Sequence, residues 1–157
     1  MYDTRQDLLA AMRAVPDILT ALLAGYSPPL AAASPGGAAA WSVVEVVCHL
    51  RDADARALER MRQMRDSDDP WLAAYDQDAW AREQDYAAAD LPAALRAFGQ
   101  GRAQYLAELA TLALAAWERP GRHAEEGRIT IQTHTLHQVA HSNEHLAQIA
   151  RLRAAAG

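Results

Sequence analysis

The sequence contains a single cysteine, Cys48, and no long uninterrupted run of apolar residues. A single cysteine excludes an internal disulfide and favours a reducing compartment, so we expect a cytoplasmic protein. A helix that crosses a bilayer needs roughly 18 or more apolar residues in succession, and the chain has no such stretch. Because the first residues, MYDTRQDLL, carry charge, we expect no signal peptide and no membrane association.

Runs of basic residues are also missing. The 157 residues have a formal net charge of -5 at pH 7, and Lys and Arg do not cluster along the chain. An acidic chain gains no general electrostatic attraction to nucleic acid or to anionic membranes. We therefore expect no nucleic-acid partner.

The residues that are abundant favour helices. Hydrophobic residues make up 51% of the chain. Many of them are Ala and Leu, whereas the β-branched runs that are typical of strands are scarce. A chain of 157 residues is long enough to bury one core. The composition therefore predicts a single all-α domain over residues 1–157.

The first predicted helix has apolar residues at alternating steps of four and three, which places them on one face. These residues are Leu8, Met12, Val15, Leu19 and Leu22. Pro16 lies inside this stretch and predicts either a kink or a restart of the helix. Residues 25–37 are rich in Pro and Gly and predict a long connection.

The second predicted helix begins near Trp41, where Ser42 and Glu45 have the spacing of a capping box. The residues predicted for its buried face are Val46, Leu50, Ala57, Met61 and Met64. Turn-forming residues at 66–70 end it. For residues 71–89 we predict a loop that includes one short helix.

Two more helices complete the predicted fold. Asp90 is the expected N-cap of the third helix, which continues to the break at residues 119–121. Its apolar stripe consists of Leu91, Leu95, Phe98, Tyr105, Leu109 and Leu112. The fourth helix runs from about Thr130 to Arg153. Four such helices predict a four-helix bundle, and the long connections permit a non-sequential arrangement.

Most of the histidines are concentrated on the fourth predicted helix. They are His134, His137, His141 and His145, at steps that place them along one side. Two histidines four residues apart on a helix can both reach one metal ion, and imidazole suits Zn, Ni, Cu or Fe. Spacing alone does not choose between the pairs His137/His141 and His141/His145. Surface or hydrogen-bonded histidines are the alternative to a metal site.

His49 adds a third candidate ligand. It lies at the edge of the buried face of the second helix, between Val46 and Leu50. A single histidine there is commonly a hydrogen-bonded core residue. Together with a histidine pair on a neighbouring helix, it predicts a three-histidine site, which leaves at least one coordination position for water or substrate.

Two segments of the chain resemble the DinB/YfiT-like superfamily. Residues 41–50, WSVVEVVCHL, are similar to the second-helix motif of that family. Residues 141–149, HSNEHLAQI, are similar to its HxxxHLxQI motif. Residues 117–127 resemble the segment before its last helix, so the likeness covers about residues 41–153.

The resemblance implies a four-helix bundle that binds a divalent metal, with Zn or Ni favoured, through His49, His141 and His145. His134 and His137 receive no role from it. It further implies a homodimer. The activities it implies are metal-dependent hydrolysis and transfer that uses a low-molecular-weight thiol such as bacillithiol or mycothiol. A non-catalytic metal-binding or sensing bundle is the alternative, and a structural dimer whose histidines bind nothing is a third interpretation.

Three polar residues near the predicted ligands are candidates for supporting roles. Glu45 and Asp52 lie about one turn either side of His49, so either can orient its ring or act as a general base. Helix capping is the favoured role for Glu45, and a solvated or salt-bridged position is favoured for Asp52. Gln148 follows His145 by three residues and is a candidate hydrogen-bond partner near the metal, or a core-edge amide.

Other residues have competing interpretations. Arg102 interrupts the apolar stripe of the third helix, and a buried charge needs a partner, so we predict an internal salt bridge rather than an anion site. Cys48 points about 100° away from its neighbour His49 and is predicted to pack in the core. The aromatic residues of the long loop are candidates for a pocket mouth, with core or interface packing favoured. They are Trp71, Tyr75 and Trp80.

Overall fold

The computed structural model describes residues 4–33 and 40–156. In these ranges it has six α-helices and three short strands. The helices are α1 (Arg5–Leu23), α2 (Pro28–Ala32), α3 (Val43–Asp66), α4 (Gln77–Glu83), α5 (Leu91–Ala110) and α6 (Ile131–Ala156). The strands are β1 (Trp71–Leu72), β2 (Pro120–His123) and β3 (Gly127–Thr130).

The four long helices form the predicted four-helix bundle. α3 packs against α5 and α6, and α1 packs against the same two helices. As a result, α1 and α3, which are consecutive long helices in the sequence, lie across the bundle from each other. The four helices are therefore arranged non-sequentially, as the long connections permit. Among the described residues, no helix combines the length and apolar character that are needed to cross a bilayer.

α1 follows its prediction apart from one residue of its buried face. The α-helix is continuous through Pro16, so of the two alternatives predicted there, a kink or a restart, the restart is wrong. Leu23 takes the buried position that was predicted for Leu22. The remaining predicted residues of this face are buried. The predicted connection at residues 25–37 includes the short helix α2, and its residues 34–37 lie outside the described ranges.

α3 confirms the predicted capping box. The Ser42 hydroxyl accepts from the backbone N–H of Glu45, and the Glu45 carboxylate accepts from the backbone N–H of Ser42 at 2.7 Å. Two otherwise free N–H groups are therefore satisfied at the start of the helix. All five residues predicted for its buried face are buried.

α5 begins as predicted but ends early. The Asp90 carboxylate accepts from the backbone N–H of Ala93 at 2.8 Å, which confirms the N-cap. The helix ends at Ala110 rather than near residue 119, so Leu112 lies beyond it. The Thr111 hydroxyl donates to the carbonyl of Glu108 at 2.7 Å and satisfies one of the last free carbonyls.

A small sheet, which the sequence did not predict, joins β1 from the α3–α4 connection to the β2–β3 hairpin between α5 and α6. β2 pairs in parallel with β1 and antiparallel with β3, with His123 opposite Gly127 at the hairpin end. Gly127 has a φ of +73°, which favours glycine. Strands of two to four residues are too short to show an alternating pattern. The hairpin places His123 beside the cavity described below.

Candidate metal centre

The neighbouring helices α3 and α6 bring three histidines together. His49 comes from α3, and His141 and His145 lie one turn apart on α6. The Nε2 atom of His141 is 2.9 Å from Nε2 of His49 and 3.1 Å from Nε2 of His145. All three ligand atoms lie within 4.8 Å of one another. The chain thus has a three-histidine cluster.

The cluster is partly shielded from solvent, with His49 buried and His141 and His145 half-buried. The side chain of His49 is 3% exposed, and its ring centroid lies 4.8 Å from that of Trp41. Burial first, and next the neighbouring imidazoles, lower the pKa of His49 to about 4 and that of His141 to about 3. Burial also lowers the pKa of His145. The rings are therefore neutral near pH 7, which is the form that binds metal ions.

Gln148 contacts the cluster as a hydrogen-bond partner of His145, one of the two roles considered for it from the sequence. Its side-chain Oε1 lies 2.7 Å from Nδ1 of His145. An amide oxygen only accepts hydrogen bonds, so Nδ1 carries the proton and the lone pair of this imidazole is on Nε2. That lone pair faces Nε2 of His141. A hydrogen bond of this kind fixes both the tautomer and the orientation of a metal-binding histidine.

The donor set fits a divalent cation. A neutral ring nitrogen offers either one proton or one lone pair, so Nε2 of His141 cannot satisfy two Nε2 neighbours at once. A cation between the rings would satisfy all three. Imidazole nitrogens that share one tetrahedral zinc ion, each about 2.0–2.1 Å from it, lie roughly 3.3 Å apart. Two of the Nε2 separations, 2.9 and 3.1 Å, are somewhat shorter, and all three ligand atoms lie within 4.8 Å of one another.

Glu45 and Asp52 are engaged elsewhere. Glu45 accepts from the hydroxyl of Ser42 at 2.7 Å as part of the capping box. Asp52 forms a salt bridge with Arg51 at 2.6 Å and accepts hydrogen bonds from Trp80 and Tyr86. Among the described residues, neither carboxylate hydrogen-bonds to an imidazole. The favoured interpretations, capping for Glu45 and a salt bridge for Asp52, agree with these contacts.

The remaining histidines lie outside the cluster. His134 is buried, whereas His137 is 50% exposed and stacks near His141, with ring centroids 6.3 Å apart. Nδ1 of His137 lies 3.4 Å from the Glu126 carboxylate, and Nδ1 of His123 lies 3.5 Å from the same group. The structure therefore brings His145, rather than His137, together with His141 and His49.

A cavity of about 410 Å³ opens beside the cluster. His49 and His141 form part of its wall, and Tyr75 borders it as one of the aromatic residues proposed for a pocket mouth. Two arginines of α3, Arg56 and Arg60, also line it. A volume of this size is in the range of small-molecule sites. A second cavity, of about 290 Å³, is bordered by the third histidine of the cluster, His145, and by Gln148.

The two arginines were missed in the sequence analysis. They follow His49 by seven and eleven residues on α3, a spacing that keeps all three on one face of a helix. That spacing is a signal that could have identified them. The other loop aromatics differ in position: Trp71 is 64% exposed, and Trp80 packs against the core.

Arg102 has the predicted internal salt bridge. Its guanidinium donates to both oxygens of Asp54, at 2.6 and 2.9 Å, and both side chains are buried. It also donates to the Met12 carbonyl and the Ser142 hydroxyl, each at 3.0 Å. Cys48 is buried in the core, as predicted.

The chain is similar in sequence to known proteins. A family model described as the DinB superfamily matches residues 2–149. A protein of Geobacillus kaustophilus (strain HTA426) named "Putative metal-dependent hydrolase GK0616" is 26% identical over 149 residues, covering 94% of this chain and 83% of that protein. "Putative metal-dependent hydrolase YfiT" of Bacillus subtilis (strain 168) is 28% identical over 113 residues, covering 71% of this chain and 64% of that protein.

A solved structure has the same fold. The structure of YfiT from Bacillus subtilis, which is described as an unusual four-helix bundle topology, superimposes with a TM-score of 0.86 at 24% sequence identity. The match covers 95% of this chain and 87% of that chain. The non-sequential order of the helices is therefore shared with a solved structure.

Proposed function

Because the chain belongs to the DinB superfamily, we propose that it is a metal-dependent enzyme, either a hydrolase or a thiol-dependent transferase. His49, His141 and His145 are the proposed ligands of one divalent cation, with Zn or Ni favoured. The substrate is a small molecule. The names of the two relatives, which refer to metal-dependent hydrolysis, support the coarser part of this proposal.

One observation carries the proposal: three Nε2 atoms converge, and the distances from His141 to the other two are 2.9 and 3.1 Å. Neutral imidazoles at such distances repel through their lone pairs unless protons or a cation lie between them. Burial keeps the rings neutral, so a cation is the group that best relieves this repulsion. Three protein ligands would leave a coordination position open.

The cavity beside the cluster supports an enzyme over a sensing or structural site. Structural zinc sites are closed by four protein ligands, whereas catalytic sites keep contact with solvent and substrate. Here His49 and His141 line a space of about 410 Å³. A second space of about 290 Å³ borders His145, so two reactants could approach the cluster. The second space is the observation that favours a transferase.

When bound, the cation would supply Lewis acidity, which makes a water or a thiol acidic enough to act near neutral pH. The thiol would come from a small molecule rather than from the chain, because burial raises the pKa of Cys48 to about 11. The three histidines hold the site, and Gln148 orients His145 through Nδ1. Glu45 and Asp52 are occupied by other hydrogen bonds, so we assign neither a proton-transfer role.

We also propose a homodimer that resides in the cytoplasm. The dimer follows from the family resemblance, and a reducing compartment accords with a single buried thiol. Size-exclusion chromatography with light scattering tests the dimer: the expected mass is twice the 17.1 kDa of the chain.

The proposed metal site predicts the metal content of histidine variants. Purified, untagged protein should carry about one equivalent of Zn, Ni or a similar ion by elemental analysis, as expected for one three-ligand site. His49→Ala, His141→Ala and His145→Ala should each lose it, because two imidazoles bind a cation much more weakly than three. Far-UV circular dichroism should show that the variants keep their helices.

His137→Ala is the matched control, since His137 has the same spacing from His141 as His145 has. It should retain the metal. Metal loss in His137→Ala with retention in His145→Ala would refute the ligand assignment. Wild-type protein that is metal-free and fails to bind added Zn or Ni would refute the proposed function as a whole.

A further inference from the structure

Two arginine side chains that line the cavity beside the histidine cluster have no ion-paired carboxylate among the described residues. Arg56 and Arg60 lie one turn apart on α3, and both line this cavity with His49. Neither is within ion-pair distance of a carboxylate in the described part of the chain. Arg60 donates one hydrogen bond to the carbonyl of Ala73 at 2.6 Å, and its other donors remain available.

The other arginines of α3 are paired. Arg51 binds Asp52 at 2.6 Å, Arg65 binds Asp66 at 2.7 Å, and Arg62 binds Glu108. Only the two arginines that face the cavity lack such a partner among the described arginines of this helix. Half-buried guanidinium groups usually find an anion, since each carries a charge that is costly to remove from water. An anion that enters from solution can take that place.

Arg56 is held in a position that suits recognition of an anion. Its guanidinium lies over two aromatic rings, 5.0 Å from the centroid of Tyr75 and 4.6 Å from that of Trp80. A guanidinium that is held against aromatic rings keeps its N–H groups in its own plane for other partners. In-plane N–H pairs are the donors that bind carboxylate and phosphate groups through two parallel hydrogen bonds.

Two carboxylates also border the cavity, those of Asp76 and Glu125. Asp76 caps α4 and accepts from the backbone N–H groups of Asp78 and Ala79 at 3.0 and 2.9 Å. Glu125 is exposed in the turn between β2 and β3. Neither is within ion-pair distance of the two arginines, and Glu125 acts on Arg60 only from a longer distance, as Glu126 does.

We propose that Arg56 and Arg60 bind a carboxylate or phosphate group of the substrate, so that the substrate class is anionic small molecules. The inference rests on the proposed function, because it assumes that the reacting group lies at the histidine cluster. Ala53 lies between His49 and Arg56 on the cavity side of α3, and its small side chain leaves space between the cluster and the arginines. The anionic end and the reacting group would occupy the two ends of that space.

Calorimetric titration of the purified protein with inorganic phosphate and with malonate tests the inference. Wild-type protein should bind at least one of these probes. Arg56→Gln/Arg60→Gln should bind it at least tenfold more weakly, while elemental analysis shows unchanged metal content. Arg96→Gln removes an exposed arginine on α5 and is the control for loss of charge alone. It should bind the probe like the wild type.

The outcomes separate this inference from the proposed function. Absence of binding in the wild type, or equal binding in the double variant, would overturn the anion site. Binding that is lost in His49→Ala and kept in the double variant would also overturn it, because the anion would then sit at the cluster itself. Arginine-dependent binding by a protein that holds no metal would refute the proposed function and leave the anion site standing.

A double lysine variant tests the inference if the double glutamine variant does not fold. Arg56→Lys/Arg60→Lys keeps both charges and loses the paired N–H geometry. Its binding of the probe should be weakened severalfold, between that of the wild type and complete loss. Wild-type affinity in a folded lysine variant would refute recognition by the guanidinium groups.

Discussion

At the scale of single residues, His134 is a buried histidine that contributes to no described site. Its side chain is 2% exposed, and neither ring nitrogen makes a hydrogen bond of normal geometry. Burial, and next the nearby charge of Arg60, lower its pKa to about 3. The folded protein therefore holds this ring in its neutral form well below the pKa of about 6.5 that it has when unfolded.

This burial predicts a pH-dependent stability. Below about pH 6.5 the unfolded chain binds a proton at His134 that the folded chain does not, so stability is lost as the pH falls from 7 towards 3. At pH 5 the loss from this one group is about 2 kcal/mol. Urea unfolding of the wild type and of His134→Leu between pH 7 and 5 measures it. The free energy of unfolding should change less with pH in the variant than in the wild type.

Thr135→Val is the control for the histidine variant, because it alters a buried polar side chain next to His134 that does not titrate in this range. Its stability should shift by a similar amount at every pH. An identical pH slope in wild type and His134→Leu would contradict the assignment of the effect to His134.

Arg102 is the second residue whose environment makes a sharp prediction. It joins Asp54 of α3 to the Met12 carbonyl of α1 and the Ser142 hydroxyl of α6, so one guanidinium from α5 contacts the other three bundle helices. Arg102→Met leaves a buried carboxylate unpaired and should cost about 3–5 kcal/mol. Denaturant unfolding measures this loss.

Arg102→Met/Asp54→Leu provides the control. Removing both charges should restore much of the stability, because the unpaired carboxylate is responsible for most of the cost. If the double variant were as unstable as the sum of the two single variants, the pair would not be coupled as the contacts indicate.

At the scale of elements, β2 approaches α3 and β1 closely at a glycine. A Cβ atom on Gly121 would lie 2.7 Å from Cδ1 of Leu72 and 2.8 Å from Cγ of Met64. Gly121→Ala should therefore destabilise the protein by about 1–3 kcal/mol through overpacking. Thermal unfolding followed by circular dichroism measures the change.

Gly101→Ala is the matched control within a helix. A Cβ there has no neighbour within 4 Å, and Gly101 lies inside α5. Alanine should stabilise that helix by about 0.5–1 kcal/mol, because glycine loses more backbone freedom on folding. The two glycine-to-alanine substitutions should thus change the stability in opposite directions. Equal effects would mean that the hairpin does not pack as closely as described.

At the scale of the whole molecule, a cation at the histidine cluster would connect α3 to α6. Ligands that bind only the folded state stabilise it, by about 2.7 kcal/mol at one hundred times their dissociation constant. For a chain of this size, removal of the metal by a chelator should lower the Tm by about 5–10 °C. Differential scanning calorimetry with and without EDTA measures the shift.

His145→Ala is the control for the chelator experiment, and its Tm should not respond to EDTA. The bundle should remain folded in both cases, since two apolar clusters of buried side chains hold the helices together independently of the histidines. A wild-type Tm that does not change with EDTA, in protein shown to release its metal, would contradict the coupling of α3 to α6 through the cluster.

The sequence by itself determined the long helices and several of their ends. Helix periodicity and capping depend on residues within one or two turns, so the Ser42 and Asp90 caps and the buried face of α3 follow from local order. The salt bridge of Arg102 was predicted from the cost of an unpaired buried charge, although its partner was not. The resemblance to a known family, rather than spacing, selected His141 and His145 over the pair with His137.

Only the tertiary structure decided what depends on contacts between distant segments. The short hairpin at residues 120–130 has no periodic signal, because its strands are stabilised by pairing and by packing against Met64 and Leu72. The proposed roles of Arg56 and Arg60 emerge only when the structure shows both side chains beside the cavity without an ion-paired carboxylate in the described ranges. Local sequence specifies which face of a helix is apolar, but the packing of helices determines which side chains meet at a site.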